Sequence, residues 1–516
     1  MFKEAMESFL SIIQQCGEEL PLPIGNEKLN NAMQVVNQTL QNTSDKSILT
    51  MGETNSKKVV ILMKIYAELV NLLVFAEPSL VGAVSLRMID LTLKSGLTSA
   101  CPCAFTFYGG TLVSMGNEYL TEACRLGEKC LLMSLCFSCT KKTHFSLHFE
   151  AKIALKLLER SASFAYRSNV ISTAYFFSLW ASDPFQVSAE AHLDGYHAGL
   201  QSGDHLYSVI NKTLSSLNNL ISGQSLTTVR QQLRDFCLKM QRKQIKFARD
   251  NCLMYHLQAV VLQDGESRLH DKCVDGLPGL GKILGGMEEV VKNGGTQDNT
   301  VSLLIKSLGV QQVFLFRQFD GVCFGNNNLM DVISEERHQL RPILLIGVFF
   351  EGLLSFQLAR QTSNETRTEW IKKGVSVLMN MQCWARHCAW NFENKMLLLK
   401  AEHMHTIGKI DQAAELYTRS IRSAHDHKFM HEVAIASENA GDFYYERHNF
   451  PKSVALYKHS IKCYKEWGAL AVAKRVENLL QSKIKGLGVT QLDSADDSLA
   501  FIFELQQSSS KKRPAN

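Results

Sequence analysis

Gly408-Lys409-Ile410-Asp411-Gln412-Ala413-Ala414-Glu415-Leu416-Tyr417-Thr418-Arg419-Ser420-Ile421 is followed, forty positions later, by a second copy of the same pattern. That copy reads His448-Asn449-Phe450-Pro451-Lys452-Ser453-Val454-Ala455-Leu456-Tyr457-Lys458-His459-Ser460-Ile461. Leu416 and Tyr417 align with Leu456 and Tyr457, and Ser420 and Ile421 with Ser460 and Ile461. An apolar stripe precedes each turn: Phe392, Met396 and Leu399, then Val433, Ala436, Ala440 and Phe443. Steps of three and four residues put each set on one face of a helix. Gly408 can end the first helix at positive φ without steric cost. Asp411 and Pro451 stand where the next helices begin: an acid there meets the positive end of the dipole, and a proline gives up no hydrogen bond that the helix needs. Ala413 lets a partner helix come close, and Tyr417 and Tyr457 fill the space beside it. Neither pair can bury its apolar face alone, so the units must stack.

Working outward, similar fragments recur upstream. Ala191 to Ser208 reads as helix, a Gly203-Asp204 turn and helix, and Tyr108 to Leu120 reads the same way. Leu226–Gln263 and Leu340–Arg360 are long amphipathic stretches. Only nine of 516 residues are proline, under half the usual share of about 5%. Long proline-free intervals suit helices, since an interior proline costs about 3 kcal/mol. The expected fold class is therefore all-α, an α-solenoid of stacked antiparallel helix pairs. The expected organisation is 1–57 as N-terminal helices and a polar loop, 58–275 as a first helical half, and 276–299 as a glycine-rich break. A second half follows over 300–484, with its clearest units near 392–426 and 432–468, and 485–516 reads as a disordered tail.

The helix–turn–helix units resemble tetratricopeptide repeats, with a period longer than the usual 34 residues. Gly408 takes the place of the turn glycine, Ala413 the small residue of the second helix, and Ala401 and Gly441 the small position of the first. The second unit departs from the pattern, with His448 at the turn and Ser453 for alanine. The order of the pieces over about 55–480 is similar to the helical region of large predicted-ATPase signalling proteins. The resemblance rests on Pro78, Leu86, Met88, Leu93 and Gly96, then Ala104–Gly116, then Gly195–Tyr207. Its most specific part runs from Trp390-Asn391-Phe392 to Cys463-Tyr464-Lys465-Glu466-Trp467-Gly468-Ala469. In that family an AAA-type module precedes the helices, and sensor or kinase modules accompany them. This chain contains none of those catalytic modules.

Composition narrows the function. A net charge of +5 over 516 residues excludes a chain-wide basic surface, so nucleic acid is not an expected partner. The first residues, Met1 to Ser8, have acids after a single lysine and no apolar core, unlike a signal peptide. Val59–Val84 is broken by Lys64, Glu68, Glu77 and Pro78, and Ile343–Ala359 by Glu351, so no membrane insertion is expected. Fourteen dispersed cysteines fit reduced thiols of a cytosolic or nuclear protein, and a cytoplasmic location is expected.

Four clusters invite a chemical reading. Gly276-Leu277-Pro278-Gly279-Leu280-Gly281-Lys282-Ile283 has the spacing of a phosphate-binding loop, but Ile283 stands where a Mg²⁺-holding hydroxyl is needed. Cys136, Cys139, His144 and His148 suit zinc chemically, yet their helical spacing would demand a sharp turn to join them. His403, His405, His425, His427 and His431 read as solvated side chains near helix ends. Lys239, Arg242, Lys243, Lys246 and Arg249 read as a solvated basic face. The expectation is a non-enzyme with no catalytic residues, no cofactor and no metal site. The leading function is a scaffold for protein–protein interaction in signal transduction, its partner a signalling ATPase or kinase module in cis or in trans. The alternatives are the regulatory arm of a longer ATP-dependent protein and a ligand-sensing solenoid.

Overall fold

The structure is a computed structural model that describes residues 2–18, 45–108, 166–177, 179–181, 183–265, 273–278, 299–319 and 342–487, with single positions at 35–36, 39, 43 and 157. It is all-α, built mostly from consecutive helices packed as neighbours, with only two short strands among the described residues. The helices are α1 (Phe2–Gln15), α2 (Asp45–Leu49), α3 (Lys57–Ala76), α4 (Val81–Ser95), α5 (Arg167–Phe177), α6 (Phe185–Ser202), α7 (His205–Ile221), α8 (Leu226–Arg242) and α9 (Lys246–Asp264). After the strands β1 (Cys273–Val274) and β2 (Leu277–Pro278) come α10 (Asn299–Leu315), α11 (Pro342–Gln361), α12 (Asn364–His387), α13 (Ala389–Thr406) and α14 (Ile410–Asp426). The last three are α15 (Met430–Glu446), α16 (Phe450–Trp467) and α17 (Leu470–Leu487). The polar loop expected within 1–57 is not all loop, because α2 forms within it and α3 starts at its end, where Ser56 accepts from the Val59 N–H.

The chain forms two compact units that interleave in sequence. The first comprises 1–182, 190–215 and 338–341, and the second 183–189, 216–337 and 342–516. The first packs Ile13, Met63, Tyr66, Met88 and Phe105 into one apolar core. A polar knot crosses its helices: Asn169 donates to Asn71 Oδ1 at 2.6 Å, and the Tyr207 hydroxyl donates to the same oxygen at 3.1 Å. The α6–α7 turn has its Gly203 at φ +81°, as the Gly-Asp pair predicts.

The second unit carries the repeats. Helices α14 to α17 start at 410, 430, 450 and 470, one every twenty residues. The turns that precede them place Gly408, Lys428, His448 and Gly468 at φ +79°, +63°, +57° and +96°. Each turn is closed by a bond that reaches back five residues: Lys409 N to Met404 O, Phe429 N to Ala424 O, Asn449 N to Tyr444 O and Ala469 N to Tyr464 O, all within 3.0 Å. This is the glycine-type helix stop, satisfying carbonyls that the helix end leaves open. Consecutive helices pack pairwise from α10 to α17, and α11, α13 and α15 also pack on one another as an inner row. At its far end α17 packs against α9, and Gly468 lies against Leu226 at the start of α8. The row of helix pairs thus returns to the α8–α9 hairpin of the same unit.

Among the described residues no helix is long and apolar enough to cross a membrane. Helix α11 owes its apolar look to burial in the row, where Lys373 Nζ lies 3.4 Å from the fully buried Glu351.

Candidate interaction face

The inner row decides what this unit can do. In α13, Asn391, Asn394, Lys395, Glu402 and His405 are buried, and in α15 every residue from His431 to Gly441 is buried. Polar groups at such positions must be matched, because an unpaired buried charge is costly. Each carboxylate here is matched by a cation or donor from another helix.

Glu402 accepts from Arg360 of α11 at 2.7 Å and from the Tyr417 hydroxyl of α14 at 2.7 Å. Burial works against its charge, but Arg360, His405 and the Tyr417 hydroxyl together outweigh burial and hold the carboxyl below its usual range. Forty residues on, the Tyr457 hydroxyl of α16 donates to Asp442 of α15 at 2.5 Å. The serines repeat too: Ser420 donates to the Asn394 carbonyl at 2.9 Å, and Ser460 to that of Ala434 at 2.8 Å. Gly441 lies where a Cβ would stand 3.2 Å from the Tyr457 ring, so the small position is demanded by the tyrosine beside it.

Glu438 sits at the crossing of three helices. Arg317, in the turn that ends α10, donates to it at 2.9 Å, Arg475 of α17 at 2.7 Å and the Tyr464 hydroxyl of α16 at 3.1 Å. Burial would raise its pKa, but Arg475 and Arg317 outweigh that and pull it down to about 2. Arg317 also reaches Asn439 at 2.9 Å and Asp442 at 3.3 Å, and its guanidinium lies over the Phe314 ring at 4.6 Å. In the Lys395–Glu432 pair the balance differs. The two groups lie 2.6 Å apart, yet burial lowers Lys395 and raises Glu432, so it outweighs their attraction. Asn394 also donates to Glu432, and Lys395 Nζ stands 4.3 Å over the Phe429 ring.

The face is covered from within the same unit. Phe185 meets Phe392 and Phe429 edge-on, and its N–H donates to Asn391 Oδ1 at 3.0 Å. Gly223 lies directly on His431, where a Cβ would come within 2.1 Å of Nδ1.

The five C-terminal histidines do not form one group, and two of them are not solvated. His405 is buried between Tyr417 and Glu446, with Nε2 2.9 Å from Glu446 Oε2. His431 is buried beside Trp467, at 5.2 Å between ring centroids, and burial lowers its pKa to about 3. The repeat packing explains both, because the helix ends that hold them are covered by neighbouring helices. His403 stacks on Phe356, His427 lies against Trp390, and His425 is exposed. Among the described residues no group of three or more His, Cys, Asp or Glu could hold a metal ion.

Gly276 belongs to a two-residue hairpin turn with Asp275, at φ +83° and +53°, joining β1 to β2. An Asp-Gly pair supplies the two positive φ angles such a turn needs. Arg230 and Arg234 of α8 fasten it, through the Asp275 carboxylate at 2.8 Å and its carbonyl at 3.1 Å. Residues 279–283 lie outside the described residues, as do Cys136, Cys139, His144, His148 and the helix–turn–helix fragment beyond Tyr108. Lys239, Arg242, Lys243 and Lys246 are exposed around the α8–α9 turn, while Arg249 pairs with Asp250 at 2.6 Å. Burial pushes up the thiols of Cys101, Cys103, Cys237, Cys388 and Cys463, which keeps them protonated.

Sequence patterning misses the acids that organise this face. Their signal is a carboxylate inside a run of small residues, as in Ala434-Ile435-Ala436-Ser437-Glu438-Asn439-Ala440-Gly441. The chain matches no protein-family model and no curated protein.

Proposed function

We propose that the chain is a non-catalytic helical-repeat scaffold for protein–protein interaction, regulatory in signal transduction and working in the cytoplasm. The observation that carries this reading is the twenty-residue pitch of α14 to α17, with its repeated turns and tyrosine–acid contacts. Helix pairs stacked by nearest-neighbour contacts present broad, regular faces, which suit recognition of another protein. The outward side of α14 and α16 is polar, with Glu415, Arg419, Lys458 and Lys462 exposed. Its partner is a signalling ATPase or kinase module, in the same polypeptide or a separate one.

The test is proximity labelling with the full chain in its source cell, followed by size-exclusion chromatography of the chain with the captured protein. A stable complex with a nucleotide-dependent signalling protein is expected. A chain that runs alone at 57.9 kDa with every candidate, or turns over nucleotide unaided, overturns the reading.

A further inference from the structure

Helix α17 packs its apolar side on α16 and α9 and is tied to α15 by a polar clamp. Val472, Ala473, Val476 and Leu480 are buried, while Leu470, Lys474, Gln481, Ser482 and Lys485 are exposed. The clamp joins α17 to α15. Arg475 donates to both oxygens of Glu438, at 2.7 and 2.8 Å, and Lys483 Nζ lies 3.7 Å from Asp442 and 3.7 Å over the Tyr445 ring. Arg475 and Lys483 are eight residues apart, and Glu438 and Asp442 four, so each pair runs along one side of its helix.

The acid pair receives three cations from two sources. Arg317 comes from α10, and Arg475 and Lys483 come from α17. Without α17, Arg317 alone faces two carboxylates, and the face carries a net negative charge. Gly468, which caps α16 two residues before α17 begins, is in the left-handed region at φ +96°. An element with few buried apolar side chains opens at lower free energy than the core around it.

We infer that α17 is a self-occupant of the acidic face of α15, and that this face is the docking site for a basic helix of a protein partner, which displaces α17. The inference rests on the scaffold reading and adds the chemistry of the partner. The occupant is a helix because α17 is one. It carries an arginine and a lysine two turns apart because those side chains fill the place now.

The test uses the full chain and a fluorescein-labelled peptide with the sequence of residues 470–487. A control peptide has glutamate at the positions of Arg475 and Lys483. Two full-length variants loosen the resident helix: Arg475→Gln with Lys483→Gln, and Leu480→Ala, which touches no charge. At least one variant is expected to bind the peptide ten-fold or more tightly than the unaltered chain does, and to reject the control peptide. Amide exchange within 470–487 should rise ten-fold or more in that variant, with exchange in α13 and α14 unchanged. Three outcomes overturn the inference: equal peptide affinity in all three proteins, faster exchange in α17 with no binding, or exchange that rises only together with α13 and α14. Failure here with a stable partner complex in the capture experiment removes α17 as the cover and leaves the scaffold. Failure of the capture alone removes the scaffold, whatever the peptide does.

Discussion

The Tyr417 hydroxyl donates to Glu402 at 2.7 Å across the α13–α14 pair, and Tyr457 and Asp442 repeat the bond across the α15–α16 pair forty residues later. Tyrosine is therefore more than a space-filling ring at this repeat position. It satisfies an acid of the inner row that is buried in the first copy and half-buried in the second.

The two copies should differ in cost. Glu402 is buried, whereas Asp442 is partly exposed, at 29% of its side chain. Leaving a buried acceptor short of a partner costs about 1–3 kcal/mol, and a wetter one less. Tyr417→Phe should therefore lower stability by about 2 kcal/mol and Tyr457→Phe by under about 1 kcal/mol. Urea unfolding of the two variants measures this, and equal losses would contradict the ranking by burial.

Two glycines of the same backbone class separate strain from crowding. Gly203 at φ +81° has open space where a Cβ would go, whereas Gly223 at φ +74° has His431 there at 2.1 Å. A left-handed alanine costs about 1–2 kcal/mol, and crowding a packed site adds about 1–3 kcal/mol. Gly203→Ala should therefore lose only the first amount and Gly223→Ala both. Thermal unfolding distinguishes them, and a Gly223→Ala protein as stable as Gly203→Ala would mean that His431 has room to move.

Acid should destabilise the protein before its carboxylates titrate. Burial lowers His192 and His256 to about 4 and His431 to about 3. Each ring is neutral when folded and takes up a proton on unfolding below about 6.5. Its stabilisation is complete above that pH and is lost as the pH falls toward 4. At pH 5 each ring accounts for about 2 kcal/mol of loss, at roughly 1.4 kcal/mol per pH unit. Glu432, raised by burial, works in the opposite sense, and the depressed Glu402 and Glu438 lose their contributions only below about 4.5. Urea midpoints should fall between pH 7 and 5, and His431→Gln should fall less steeply. An unchanged slope in that variant would refute the assignment.

The Lys395–Glu432 pair should show a sign-revealing double-mutant cycle. Lys395→Met leaves Glu432 buried without its cation and should cost about 3–5 kcal/mol. Adding Glu432→Leu should restore most of that loss, because burial already outweighs the attraction between the two. A double variant less stable than Lys395→Met would show that the pair is a net stabiliser.

The forty-residue repeat was visible in the sequence because Leu416, Tyr417, Ser420 and Ile421 recur as Leu456, Tyr457, Ser460 and Ile461. The twenty-residue pitch within it was hidden. Two of its four stops are Lys428 and His448, which adopt the left-handed turn that glycine usually signals. The histidines misled for a related reason: their spacing places them near helix ends, but spacing says nothing of which ends a neighbouring helix covers.

Helical periodicity, turn residues and small positions are local, so the sequence by itself determined the all-α class, the pairing of neighbouring helices and the role of Gly408, Ala413 and Gly441. Which charges lie inside was decided only by the tertiary structure. Arg317, Glu438 and Arg475 are separated by 121 and 37 residues. No local pattern ties them together, and a carboxylate on an apolar helix face is tolerated only where folding brings it a cation.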